Sequence, residues 1–395
     1  QAFEAELGSA RAAAGRVSGG GQWNPATWRF DTRLSALRPN LLDARAPDMR
    51  LDGRLQLDGS GFDAPTPHSQ QVDVRGTLDG QRLGPGTSQA VQLRLDARLN
   101  MLRIELRQLL AQSGGASASL DARLTRASPQ AGWTAKGQAT LREFDPLPWW
   151  PGREDSPWRQ GPHKLNATAD VALTLPASAS TGMQWLSRLR GQAQLALEPS
   201  RLAGVPISGN VALQSAPNGR ATGQLQLLAD GNQLRADAQL DAPADGSGDR
   251  WDLKADMPAL KKLQPLWKLL LGPGSDTRLA GKLNAEARID GRWPALNTQG
   301  RLDGAALQMG ELQIQRADAR WTLGTRGDAP LDAQLELSQL SFGAPSAETL
   351  KLQLKGTLQS HTLELKAESK ALPPAWVEAM QNAPAGTKAK STLAE

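Results

Sequence analysis

Apolar and polar residues alternate with period two through runs of six to ten residues, again and again along this chain. Examples are Leu51–Asp58 (LDGRLQLD), Val91–Leu99 (VQLRLDARL), Leu102–Leu106 (LRIEL) and Leu165–Leu175 (LNATADVALTL). The same alternation returns at Leu234–Leu240, Leu283–Ile289, Leu331–Leu337, Leu350–Leu354 and Leu363–Ala367. A side-chain period of two puts every second residue on one face of an extended strand, so each run predicts a strand with one apolar and one polar face. Roughly 18 to 22 such strands fit in 395 residues.

The residue choice is unusual for strands, with 61 Leu against 8 Val and 4 Ile. β-Branched side chains suit a pleated surface better. Codon bias in a GC-rich genome accounts for this, and so does a wall of flexible Leu and small Ala built for a mobile apolar ligand. Asp-Gly pairs at 52–53, 58–59, 79–80, 230–231, 290–291 and 303–304 predict hairpin turns or strand breaks, because Asp-Gly accepts positive φ. A Gly followed by alternating Leu or Ala recurs at uneven intervals (Gly53, Gly76, Gly137, Gly191, Gly209, Gly223, Gly281, Gly300, Gly356). Uneven spacing excludes a regular propeller or leucine-rich solenoid and favours a long meander.

Helical spacing is scarce. The best case is Pro258–Leu271, with Leu260, Leu263, Trp267, Leu270 and Leu271 on one stripe and Lys261, Lys262 and Lys268 opposite, Asp256 as cap and Pro265 as an internal kink or interruption. Met183–Arg190 and Pro374–Gln381 are shorter candidates. The organisation expected is one continuous body. Its β-rich repeats at 1–145, 166–257 and 278–370 are separated by a Pro/Trp-rich loop (146–165) and the helix (258–272), and a short helix and disordered tail follow (371–395). Trp149 and Trp150, boxed by prolines, suit either a plug over the sheet end or a membrane interface; with no apolar span adjoining them, the plug is favoured.

Chemistry-bearing motifs are missing from the sequence. The absence of Cys removes thiolate metal sites, Cys nucleophiles and disulfides. His68, His163 and His361 have no metal-ligand spacing and are expected on the solvated surface. No nucleophile elbow, phosphate-binding loop or dinucleotide fingerprint occurs, and no carboxylate pair stands out among the 40 acids. The expectation is a protein that is not an enzyme and has no cofactor and no metal. A net charge of +5 invites nucleic acid, but the signs alternate along single segments (Arg94-Leu95-Asp96-Ala97-Arg98), so no nucleic-acid partner is expected. No window reaches the length of a membrane-spanning helix. The chain starts at Gln1 without a signal-peptide pattern and is expected to be processed or cut from a longer protein.

A one-faced sheet with almost no helix to cover it must cover itself, as a barrel, a sandwich or a lengthwise-curled trough. About 20 strands at about 4.8 Å spacing would run roughly 95 Å, and only the trough offers an extended apolar path. Moving an acyl chain of about 16 carbons into water costs on the order of 13 kcal/mol, which a covered groove would largely remove. The expected lining is Leu55, Leu57, Leu93, Leu95, Ala97, Leu99, Leu102, Ile104 and Leu106 in the first third of the chain. The middle contributes Val171, Leu173, Leu195, Leu197, Leu225, Leu227, Leu234 and Leu240. The last third adds Leu283, Ala285, Ile289, Leu312, Ile314, Leu335, Leu337, Leu352, Leu354, Leu363 and Leu365. Leu260, Leu263, Trp267 and Leu270 would form a lid helix over that groove, or a cap on a sheet edge.

The phrases Ala139–Trp150 (ATLREFDPLPWW), Ser200–Leu213 (SRLAGVPISGNVAL) and the run Trp251–Leu296 resemble the TamB family of translocation and assembly module proteins, within the wider AsmA-like superfamily. The resemblance covers most of the chain. It implies a β-taco, an elongated curled sheet with an apolar interior, standing in the periplasm. It further implies anchorage to the inner membrane through a segment this chain lacks, and pairing with a TamA-like outer-membrane barrel through regions outside it. The implied roles are transport of phospholipid, or another acyl-chain lipid, towards the outer membrane and outer-membrane protein assembly. The alternative is a structural or adhesive β-rich surface protein with a filled core.

Overall fold

A computed structural model describes residues 2–9, 12–24, 26–61, 70–83, 89–149, 153, 155–159, 161–175, 177, 189–216, 218–241, 248–271, 277–343 and 346–369. It is mostly β: 21 strands in one antiparallel sheet. The first ten are β1 (Ala2–Ser9), β2 (Ala12–Trp23), β3 (Thr27–Leu37), β4 (Met49–Ser60), β5 (Gln71–Arg82), β6 (Ala90–Asn100), β7 (Arg103–Ser113), β8 (Ala116–Thr125), β9 (Thr134–Phe144) and β10 (Leu165–Thr174). Then come β11 (Arg190–Leu202), β12 (Val205–Ser215), β13 (Ala221–Ala229), β14 (Asn232–Leu240), β15 (Arg250–Met257) and β16 (Leu279–Arg292). The last five are β17 (Ala295–Met309), β18 (Leu312–Gly324), β19 (Pro330–Phe342), β20 (Ser346–Thr357) and β21 (His361–Glu368). Each strand pairs with its sequence neighbours, so the chain is a pure meander. Among the described residues β1 and β21 each pair on one side only, and the sheet does not close.

Directly opposed residues share a face. Following the register from β1 to β21 through one such series gives Ala5, Val17, Leu34, Gly53, Leu78, Leu93, Ala111, Ala118, Leu141, Ala167 and Leu197. It continues through Gly209, Leu227, Leu234, Ala255, Ala285, Leu302, Ala319, Leu335, Leu352 and Leu365. No polar side chain interrupts it. One residue along, the opposite face carries Arg33, Arg54, Thr77 and Arg94 near one end and Arg235, Lys254, Glu286, Arg301, Arg320, Gln334 and Gln353 near the other.

Where the sequence breaks strict alternation, the backbone bulges and the face is kept. Leu34 and Leu37 are three residues apart, as are Leu106 and Leu109, and the register shifts between the members of each pair. An extra residue absorbed in one strand returns the next Leu to the apolar side. Ala36, Glu143, Ala306 and Gln339 take positive φ at such points.

The Asp-Gly expectation needs correction. Only Asp230-Gly231 is a hairpin turn, with φ of 45° and 84°. The other five pairs lie inside β4, β5, β16 and β17. Their glycines sit on the apolar face opposite bulky neighbours: a Cβ at Gly59 would overlap the Trp28 indole, and one at Gly53 would crowd Leu78. A second turn with two positive-φ residues, Ala203-Gly204, joins β11 to β12 without an Asp-Gly pair.

Two short helices are described, α1 (Pro39–Leu42) and α2 (Gln264–Leu271), the latter preceded by a 3-10 turn at Leu260–Leu263. Pro265 stands in the first turn of α2, where its missing N–H costs nothing; the helical run is interrupted just before it, between the 3-10 turn and α2, and is not kinked within α2. Asp256 is no cap; it lies in β15, opposite Gln233 and Asn284. Of the Met183–Arg190 candidate, residues 183–188 fall outside the described residues and Arg190 opens β11; the Pro374–Gln381 helix and the tail also fall outside.

Candidate functional site

The register assembles the candidate surface. Of the expected lining residues, Leu55 and Leu57 on β4, Leu93 to Leu99 on β6 and Ile104 and Leu106 on β7 occupy one face. Val171, Leu173, Leu195, Leu197, Leu225, Leu227, Leu234 and Leu240 continue it across β10 to β14. Leu283, Ala285, Ile289, Leu312, Ile314, Leu335, Leu337, Leu352, Leu354, Leu363 and Leu365 carry it to the far edge. Leu102 is the exception: it belongs to the β6–β7 turn, where its N–H bonds the Asn100 side chain at 2.9 Å.

The face also holds residues that alternation alone did not single out. Trp251 pairs across the sheet with Ala238 and Ile289, and Trp321 with Gly300 and Ala333. Trp28 stacks on Trp23 with centroids 6.2 Å apart and lies 5.5 Å from Phe30. The signal was present, since these aromatics keep the parity of neighbouring Leu and face glycines that make room for them, as Gly300 does for Trp321. Pairing a glycine with an indole keeps the wall level without leaving a void.

Most of this face is half-buried: of the expected lining, Ala97 and Leu240 are buried, and only Leu99, Leu195, Leu363 and Leu365 are exposed. Buried apolar side chains are few and mostly Ala, including Ala97, Ala167, Ala221, Ala238 and Ala317. Leu195 and Val211, opposed in mid-sheet, are 42% and 38% exposed. Unsatisfied apolar area of this kind is what a ligand or partner would remove from water.

Cover exists at one rim, between β10 and β16. Val205, Ile207 and Ala229 form a buried cluster on which Leu165, Leu197, Leu202, Leu263 and Leu266 pack. The 3-10 turn is pinned by Asn232, 2% exposed, whose side chain accepts from Ala259 N–H at 3.0 Å and donates to the carbonyls of Ala259 (3.2 Å) and Ala229 (3.0 Å). The Gln264 amide donates to Thr277 carbonyl at 2.8 Å and accepts from Leu279 N–H. Leu260 is buried and Leu263 and Trp267 are half-buried, but Leu270 and Leu271 are 79% and 47% exposed, so the expected apolar stripe is used as far as Trp267, with Leu266 joining it.

The Pro/Trp loop adds a second cover. Trp149 stacks on Phe144 at the end of β9, with centroids 6.4 Å apart; Trp150 lies outside the described residues. His163, expected in solvent, is buried. It stacks on Trp158, its Nδ1 accepts from Ala203 N–H at 3.1 Å and its Nε2 donates to Trp158 carbonyl at 2.9 Å. Both ring nitrogens are satisfied by backbone, so burial leaves neither unpaired. His361 is exposed on β21, and His68 is outside the described residues.

On the polar face charges pair laterally. Asp73 accepts from Arg98 at 2.8 Å and Gln71 at 2.9 Å, with Arg107 at 3.4 Å. Burial pushes its carboxyl up, but these hydrogen bonds and the charges of Arg98 and Arg107 outweigh burial and hold it below the usual carboxylate range. Lys254 and Arg301 flank Glu286 at 2.6 and 2.9 Å, and lower it likewise. At the other rim Arg292 and Asp249 form a buried ion pair, with Asp249 also accepting from Asp241 N–H at 2.8 Å. These groups satisfy one another across strands, an arrangement that holds a sheet together. No family model, curated protein or solved structure matches this chain, so the resemblance to TamB rests on the phrases quoted for it.

Proposed function

We propose that this protein is a periplasmic hydrophobic conduit: the sheet, curled lengthwise into a trough, carries the acyl chains of phospholipid or a similar lipid along its apolar face between inner and outer membrane. The observation that carries this reading is the series from Ala5 to Leu365, apolar or Gly at every one of 21 consecutive strands. A path of this kind has no polar step at which a chain would have to be rehydrated. Among the described residues the buried apolar side chains are mostly Ala, and this supports it over a filled structural or adhesive protein, because a solid core would bury Leu in preference to Ala. Inner-membrane anchorage, a TamA-like barrel as partner and a part in outer-membrane protein assembly belong to the same proposal and rest on the sequence resemblance.

The test is parity. Photo-crosslinking side chains at Leu95 or Leu283, on the apolar face, should capture phospholipid, and those at the adjacent Arg94 or Asn284 should not. Equal capture at both parities would defeat the conduit reading.

A further inference from the structure

On the polar face, where β7, β8 and β9 meet, the register brings cations together with too few carboxylates to pair them. Arg123 of β8 stands opposite Glu105 of β7 on one side and Lys136 of β9 on the other, and one row along Arg103, Thr125 and Thr134 are opposed in turn. Arg123 donates to Glu105 at 3.1 Å, while Arg103 approaches the same carboxylate only to 3.6 Å, beyond a hydrogen bond. Lys136 is exposed and has no ion pair among the described residues. Arg126, just past β8, donates to the carbonyls of Met101 (2.8 Å) and Pro129 (2.7 Å) and lies 4.6 Å from the centre of the Trp133 ring. These neutral partners fix its guanidinium and leave its charge without a counter-ion. A cleft of about 640 Å³ opens between the four cations and the two threonines, and no carboxylate lines it among the described residues. Other clefts of this face mix both signs, as where Arg33 and Arg54 stand with Asp31, Asp52 and Asp79.

We propose that this cleft binds a phosphate-type oxyanion, either free phosphate or the phosphate of a lipid headgroup. Like charges directly opposed on one face destabilise a sheet, and an anion seated between Arg123 and Lys136 turns that repulsion into two attractions. Guanidinium and ammonium groups make their strongest hydrogen bonds to such oxygens, and the hydroxyls of Thr125 and Thr134 are further donors. Charge sets the ligand class. Four cations, less Glu105 and less Asp121, which is exposed two residues along β8 from Arg123, leave an excess of two, matched by a phosphate dianion and only half matched by a carboxylate. Beyond this group the charges offset one another: Arg98 and Arg107 pair with Asp73 and Asp96, and Asp170 on β10 is balanced by Arg190 on β11. The cleft lies on the face opposite the apolar one and does not depend on whether lipid travels there.

Isothermal titration of the full chain with inorganic phosphate, and sedimentation with vesicles of phosphatidic acid in phosphatidylcholine, test it. The parent should bind inorganic phosphate and melt at a higher temperature in its presence. Lys136→Glu should lose at least tenfold in affinity, yet without phosphate it should melt no lower than the parent, because an opposed like-charge pair becomes an opposite one. Arg94→Glu, at an exposed cation of the same face outside the cleft, should bind as the parent does. Vesicle binding that inorganic phosphate displaces assigns the anion to a lipid headgroup, and phosphate binding without vesicle binding assigns it to a soluble ligand; both outcomes support the site. The proposal is overturned if the parent binds neither probe, if Lys136→Glu binds undiminished, or if Arg94→Glu lowers affinity as much. Capture of lipid at Leu95 but not Arg94 reports on the conduit separately, so either idea can fail alone.

Discussion

Asn232 shows how a single polar side chain organises a surface that is otherwise apolar. Buried and satisfied by Ala229 and Ala259, it connects the β13–β14 hairpin to the turn before α2. Asn232→Leu should cost about 1–3 kcal/mol, because the Ala259 groups lose their partner inside a closed site; chemical denaturation would measure the loss. Gly300 is constrained by its neighbour, since a side chain there meets the Trp321 indole. Gly300→Val should destabilise by about 1–3 kcal/mol, and combining it with Trp321→Ala should recover part of that in a double-mutant cycle. Asp73 supplies a pH dependence of defined sign. Its folded-state acidity is enhanced, so its contribution to stability is complete above the unfolded carboxylate range, near pH 4, and is lost as pH falls through the lower folded value. Asp73→Asn should therefore flatten the acid limb of a stability-versus-pH curve, and an unchanged limb would show that Arg98 and Arg107 give the carboxylate no such preference.

Among the elements, α2 separates a lid from a cap. Both its approach and its first residue are held by side-chain hydrogen bonds to backbone, from Asn232 and Gln264, and Leu263 and Leu266 are seated on the Val205–Ile207–Ala229 cluster. Such anchoring favours a fixed cover, so amides across Lys261–Leu269 should be protected in hydrogen exchange equally with and without lipid. Protection that rises only with lipid would restore the lid. The bulges are the other instructive elements: at Leu34–Leu37 and Leu106–Leu109 an alternation that looks broken in sequence is continuous in space.

At the scale of the whole molecule the meander determines both what is gained and what is left open. Every strand pairs with its sequence neighbours, which keeps loop-closure costs low despite the size of the sheet. The same topology leaves a wide apolar face that no helical layer covers among the described residues. If that face is a conduit, Leu225→Asp should interrupt lipid passage to positions beyond β13 while the protein stays folded, since the wall is not close-packed; the readout is loss of photo-crosslinking at Leu352 with retention at Leu95. Global unfolding of this variant would point to a packed core and to the structural reading.

Sequence by itself determined the strand identities and the face on which nearly all the alternating Leu and Ala fall, because a side-chain period of two is a local property that needs no knowledge of neighbours. It also placed a helix near Pro258–Leu271, although the α-helix begins only at Gln264, with Pro265 in its first turn after a 3-10 turn. Tertiary structure alone decided matters that depend on what lies across the sheet. Asp58-Gly59 is strand and not turn because Trp28 occupies the space opposite. His163 is buried because Trp158 and the Ala203 turn, distant by 5 and 40 residues, satisfy both its nitrogens. Leu270 is exposed because α2 runs past the cluster that seats Leu263 and Leu266. Local periodicity reports which side a residue points to, and only the assembled sheet decides what stands there to meet it.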